Sequence, residues 1–130
     1  MRVCRELGRW RVTKIQRFDS SHRMSRAVAH GDTLYVSGLT ADDLTEDVRG
    51  QTIQILAKID KYLAMGGSDK SRLLSANIWL SDIAAFDQMN AVWDAWVDRA
   101  NPPARATVES RLAGERYLVE IMVTAARDPS

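Results

Sequence analysis

Apolar and polar positions alternate in two short runs, Arg26-Ala-Val-Ala-His30 and Thr33-Leu-Tyr-Val-Ser37. Gly31-Asp32, a turn pair, stands between them, so the two runs predict a β-hairpin. The acidic, polar stretch from Thr40 to Glu46 predicts a loop. The period then changes. Thr52, Leu56, Ile59 and Leu63 recur at spacings of four, three and four, which lays them on one face of a helix over about 45–65. Thr45 is placed to cap its start, with Glu46 and Asp47 at the positive end of the dipole. Gly66-Gly67 is expected to end it through a left-handed C-cap.

Leu73 to Leu80 carries apolar residues on both faces and reads as a central strand. Ser81-Asp82 then caps a second helix whose buried stripe is Phe86, Met89, Trp93 and Trp96, with Asn90 on the edge of that stripe. Pro102-Pro103 stops it. Two strands finish the chain, Ala104 to Glu109 and Tyr117 to Ala126, with Leu112 to Arg116 as the turn between them. The order β-β-α-β-α-β-β predicts an α+β fold, one mixed sheet with two helices on one face. No element is left to cover the other face, and a second subunit is the simplest cover.

The 130 residues suffice for one core, and 45% hydrophobic with 27% charged side chains fits a globular domain. No apolar run approaches the roughly 20 residues needed to span a bilayer. The N-terminus has no apolar signal-like stretch, and the single Cys4 cannot form an internal disulfide, so the expected compartment is the cytoplasm. Charge is uneven. Residues 1–26 carry eight Lys or Arg and two acids, and the remainder is net acidic. Such an arm suits a nucleic acid or an acidic partner. It equally suits a solvated segment lying on the acidic body. No run of aromatics and no helix-turn-helix or RNA-binding signature accompanies it, so nucleic acid is not the expected partner.

The last two strands hold the most informative residues. Alternation puts Arg105, Thr107 and Glu109 on one face, and Leu118, Glu120, Met122 and Thr124 on one face of the next strand. Glu120 is a carboxylate among apolar neighbours, costly there unless paired or hydrogen-bonded. It can serve as a general acid or base, or form a structural ion pair with Arg105 or another base. Arg105 offers a planar fork for a carboxylate or phosphate, or is simply a surface arginine. Ser37 ends a strand before Gly38, placed either to touch a ligand or to bond the turn backbone. Val36-Ser37-Gly38 is not a nucleophile elbow. His22 and His30 lack metal-ligand spacing, and no metal is expected. With no glycine-rich phosphate loop, no cofactor is expected. Trp79, Trp93 and Trp96 read as core residues or as a ligand platform.

Six segments in register resemble the RidA family, also called YjgF, of reactive-intermediate deaminases. They are Gly31-Asp-Thr-Leu-Tyr-Val-Ser-Gly38, Gln51-Thr52 with Leu56, Trp79-Leu-Ser-Asp82, Phe86-x-x-Met-Asn90, Pro103-Ala-Arg-Ala-Thr-Val-Glu109 and Val119-Glu-Ile121. The resemblance covers roughly 20–127 and implies a domain over 20–127, with 1–19 as a basic N-terminal arm and first extended segment. It implies a chorismate-mutase-like fold packed as a homotrimer with clefts between subunits. It also implies cofactor-independent hydrolysis of small 2-imino or 2-enamino acids to a 2-keto acid and ammonia. Arg105 then matches the residue that grips the substrate carboxylate and Glu120 the acid that positions water. Ser37, Thr107, Asn90, Met24 and Trp93 become the substrate-binding candidates. Thr107 stands where many members have Cys, and Met24 where a Tyr is usual, which opens the identity of the substrate. The competing readings are a non-catalytic module that binds small carboxylates or acts like a chaperone, and an RNA-binding or ribonuclease-type protein.

Overall fold

The computed structural model of the chain describes residues 14–129; the basic arm before residue 14, with Cys4 and Trp10, lies outside them. Six strands form one mixed sheet. They are β1 (Ile15–Ser20), β2 (Ser25–His30), β3 (Thr33–Leu39), β4 (Leu73–Leu80), β5 (Ala104–Glu109) and β6 (Val119–Ala126). Their spatial order is β1-β2-β3-β6-β4-β5, and only β4 and β5 run parallel. A parallel pair needs a crossover, and α2 (Phe86–Trp96) supplies it. The longer helix α1 (Val48–Met65) connects β3 to β4.

The expected hairpin is present, with Ala27 opposite Val36 and His30 opposite Thr33. β1 is an addition to the expected order. It pairs with β2 from Ile15–His30 to Ser20–Ser25; the family resemblance implies an extended segment within 1–19, while the mixed charge without clear alternation carries no strand signal of its own. Phe18 packs against the core, and two polar contacts also tie β1 to the body. Arg127 donates from Nη2 to Gln16 Oε1 at 3.3 Å, and the Tyr62 hydroxyl donates to Asp19 Oδ2.

The helices lie on one face. Ala27, Ala29, Leu34, Val36, Ala76, Ile78, Ile121 and Val123 point at them from the sheet and are buried. Ile55, Leu56, Ile59 and Leu63 of α1 and Met89 of α2 meet them. Each such aliphatic side chain contributes about 1.5–3 kcal/mol on burial. The predicted stripe on α1 is therefore the core stripe. That helix starts three residues later than expected. Asp47 is its cap, accepting from Gly50 N at 2.9 Å, while Thr45 turns back to bond Asp43 Oδ1. At the other end Gly66 is right-handed, with φ −88°, and the left-handed residue is Gly67, with φ 81°. A short 3₁₀ turn, Ile83–Ala85, capped by Asp82, intervenes before α2, which ends at Trp96, well before the prolines. β4 is an interior strand, but only one of its faces is fully buried. Leu73, Ala76, Ile78 and Leu80 face the helices, while Ser75, Asn77 and Trp79 are half-buried on the other side. The last strand begins at Val119 rather than Tyr117.

Among the described residues no element covers the face away from the helices. Tyr35, Met122 and Val108 stand on it at 51%, 36% and 49% exposure, a band of apolar surface across β3, β6 and β5.

Candidate functional site

β5 is the edge strand beside β4, with Ala76 opposite Arg105 and Ile78 opposite Thr107. Because Ala76 and Ile78 face the helices, Arg105 and Thr107 do too. Arg105 thus lies against α2, whose residues Phe86, Asn90 and Trp93 share one helical face. Its Nη1 donates to Asn90 Oδ1 at 2.8 Å. Its guanidinium carbon sits 5.3 Å from the Trp93 ring centroid and 5.9 Å from that of Phe86. A cation over an aromatic face is attracted by the ring quadrupole. The arrangement fixes the plane of the guanidinium without neutralising it. Among the described residues no carboxylate lies within ion-pair distance of Arg105. A half-buried guanidinium held by a neutral amide and two rings keeps donors of the geometry that a carboxylate or phosphate accepts.

Glu120 is elsewhere. It stands opposite Trp79 in the register of β6 with β4, between the buried Val119 and Ile121, and so faces away from the helices. Trp79 in turn is opposite Val108. Two strand spacings of about 4.8 Å and three residues of about 3.3 Å therefore separate Glu120 from Arg105, about 14 Å between Cα atoms. The two side chains leave on opposite faces. An ion pair between them within one chain, which the sequence leaves open, is excluded.

What Glu120 does meet is the backbone of β3. The register of β3 with β6 shifts between Val36 and Leu39, and the bulge carries Ser37 and Gly38. A Cβ at Gly38 would lie 2.2 Å from Glu120 Oε2. The absence of a side chain at 38 is what lets the carboxylate settle there. Ser37 is on the same face, its Oγ buried and without a hydrogen bond, and Thr107 Oγ1 on the other face is in the same condition. A buried hydroxyl without a partner is rare in a folded chain. Here both occur beside the two candidate side chains. Met24 lies just before β2 on the face of Glu120, 38% exposed, and its Sδ is 3.9 Å from Arg26 Nη1.

The candidates therefore fall into two groups. Arg105, Asn90, Trp93 and Thr107 are together on the helix side, and Glu120, Ser37 and Met24 are together on the open side. Two features that shape these groups carry little signal in the sequence pattern. Gly38 as the seat of Glu120 needs the bulge, which alternation does not reveal. Gln51 is fully buried. It donates from Nε2 to the carbonyls of Glu46 and Arg116 at 3.1 and 3.0 Å and accepts from Leu118 N at 3.0 Å. It thereby holds the loop that leads into β6 and Glu120. A polar residue next to the apolar stripe of α1 was the available signal. An open cleft of about 760 Å³ lies at the C-terminal ends of β4 and β5, lined by Ser81 and Glu109 to Glu115. It contains neither Arg105 nor Glu120.

The molecule is thus an α+β chain with a half-buried, unpaired guanidinium on one face of its sheet and a seated carboxylate on the other. Residues 14–127 match the family described as Endoribonuclease L-PSP. A RutC family protein of Haemophilus ducreyi is 42% identical over 112 residues, 86% of this chain and 96% of that one. The RutC family protein YoaB of Escherichia coli is 43% identical over 112 residues, 86% of this chain and 97% of that one. A crystal structure of a YjgF family protein from Neisseria meningitidis superposes with a TM-score of 0.86 at 41% identity, covering 90% of this chain and 98% of that one. The chain belongs to the RidA family, known also as YjgF or RutC, and the fold is the chorismate-mutase-like one of its structural neighbours. Among the described residues no helix is long and apolar enough to cross a membrane, and no cluster of His, Cys, Asp or Glu is arranged to hold a metal ion.

Proposed function

We propose that the protein hydrolyses small 2-imino and 2-enamino acids to 2-keto acids and ammonia, without a cofactor, in the cytoplasm. The observation that carries this reading is Arg105, a guanidinium oriented by Asn90 and Trp93 and left without a carboxylate. It binds the substrate carboxylate through its remaining donors. Glu120 holds a water against the imine carbon. The water oxygen bonds to that carbon as Glu120 takes one of its protons and passes it to nitrogen. The hydroxyl so formed then gives its proton to the same nitrogen, by way of Glu120, as the C–N bond breaks, the C=O bond forms and ammonia leaves. A 2-enamino acid first tautomerises to the imine. Imines hydrolyse unaided, so positioning together with an acid–base group worth roughly 10²–10⁴-fold is sufficient.

Arg105 and Glu120 of one chain diverge, so the site is composite, with Arg105, Asn90, Trp93 and Thr107 from one copy and Glu120, Ser37 and Met24 from the next. Homotrimeric packing that sets the β5–α2 edge of one copy against the open face of the next accounts for the exposed Tyr35 and Met122 and brings the halves together. The test couples an amino-acid oxidase to the protein and follows loss of the imine. Arg105→Ala is expected to abolish the acceleration, and an unchanged rate would sink the assignment. A second reading comes from the family description, endoribonuclease, together with the basic arm. It predicts RNA cleavage or salt-dependent RNA binding that is lost when residues 1–13 are removed. A third, ligand binding without turnover, predicts stabilisation by 2-keto acids in the absence of any rate effect.

A further inference from the structure

Glu120 is not the only charge on its half of the site. Ala27 is opposite Val36 in the hairpin, which sets Arg26 beside Ser37. Ala27 and Ala29 are buried beneath the helices, so Arg26 belongs to the open face, with Ser37 and Glu120. The three residues lie on three successive strands, β2, β3 and β6. About two strand spacings across the sheet and two residues along it separate the outer two, roughly 12 Å between Cα atoms.

Arg26 is exposed, and among the described residues it forms no ion pair. Its one polar contact is the Met24 thioether, 3.9 Å from Nη1, and sulfur is a weak acceptor. The Asp42 carboxylate feels the Arg26 charge, but Lys58 holds it more strongly, at 2.8 Å. Glu120 likewise makes no ion pair. An unpaired cation and an unpaired anion thus flank a buried hydroxyl that has no partner.

From this placement we infer that Arg26 binds a second carboxylate, carried on the side chain of the substrate, so that the site prefers 2-imino dicarboxylic acids. The inference rests on the composite deaminase site. Arg105 of one copy takes the carboxylate next to the imine carbon. Glu120 of the next copy faces that carbon, and Arg26, across Ser37 from Glu120, meets the far end of the substrate. A guanidinium matches a carboxylate in two parallel hydrogen bonds. A dianionic phosphate is disfavoured at the same place, because Glu120 shares the face and repels it. Met24 beside the guanidinium gives the methylene chain an apolar surface where a hydroxyl would compete for water.

The experiment compares two imines of equal length, one made by an oxidase from glutamate and one from norvaline, which lacks the second carboxylate. Wild-type protein is expected to favour the glutamate imine in kcat/KM by ten-fold or more. In Arg26→Gln that ratio is expected to fall about ten-fold, and Arg26→Lys should keep part of it. A ratio unaltered by Arg26→Gln, or a preference for the norvaline imine in the wild type, overturns the inference and leaves the deaminase reading standing. If neither imine is turned over faster than in buffer, the deaminase reading fails, and the comparison moves to calorimetric binding of 2-oxoglutarate against 2-oxopentanoate. A preference for the dicarboxylate that Arg26→Gln removes then supports Arg26, and equal affinities overturn it.

Discussion

Replacing Gly38 by alanine separates the seat of Glu120 from the fold. The new Cβ would lie 2.2 Å from Glu120 Oε2, 3.2 Å from Cδ and 3.4 Å from Cγ. Ordinary contact starts near 3.4 Å, so the carboxylate oxygen must move by about 1.2 Å to reach it, while the base of the side chain stays. Gly38 is not among the glycines with positive φ, so alanine meets no backbone strain. The obstacle is the end of a flexible side chain on a half-buried face. The cost to stability is therefore at the low end for overpacking, about 1 kcal/mol, or about 5 °C in melting temperature. The cost to chemistry is larger, since a misplacement of about 1 Å can lower a rate about 10²-fold. Gly38→Ala is expected to lose 10- to 100-fold in kcat for imine hydrolysis while melting within about 5 °C of the parent. Combined with Glu120→Gln it should add little further loss, because both changes act on one group. A Gly38→Ala protein that turns over at the parental rate, or a double variant whose losses multiply, would refute the role given to the bulge.

Other expectations follow from single contacts. Asn90→Asp sets a carboxylate 2.8 Å from Arg105 Nη1, which fills the receptor from within; 2-oxobutyrate affinity by calorimetry should fall at least ten-fold, with little change in stability. Gln51→Leu strands one buried N–H and removes a donor from two carbonyls; urea unfolding should report a loss of about 3 kcal/mol. The Tyr62 hydroxyl is held above its usual titration range, first by its hydrogen bond to Asp19 and then by burial. The folded state thus keeps this proton where the unfolded chain gives it up. The associated stability is present below about pH 10 and is lost as pH rises from there through the higher folded value. Denaturant midpoints at about pH 8 and pH 10.5 should therefore differ less in Tyr62→Phe than in the parent.

Much of the architecture was legible because periodicity reports burial. Thr52, Leu56, Ile59 and Leu63 were read as one face, and all four are buried; the hairpin around Gly31-Asp32 follows from alternation and a turn pair. β1 was not legible, because an edge strand held by side-chain ties, such as Arg127 to Gln16, needs no apolar alternation of its own. The start of α1 slipped because Thr45, Glu46 and Asp47 are all competent near a helix start, and the winner was decided by Asp43 drawing Thr45 into the loop. In the site, alternation assigned Arg105 and Thr107 to one face and Glu120 to its own face, but not the relation between those faces. That relation depends on β4 lying between the two strands, with one run parallel and the other antiparallel, and sequence pattern does not encode it. The placement of Arg26 is illegible in the sequence for a similar reason. Its significance comes from its neighbour across the hairpin, not from its neighbours in the chain.

The divergence of Arg105 and Glu120 has a genetic consequence. In the composite site proposed above, a single chain holds half of two different sites. A lesion at Arg105 spoils one half, a lesion at Glu120 the other, and neither chain alone makes a working site. In a mixed assembly, an intact Arg105 half from one kind of chain meets an intact Glu120 half from the other. Two inactive alleles, Arg105→Ala and Glu120→Ala, should therefore complement when expressed together, while two different lesions on the same half should not.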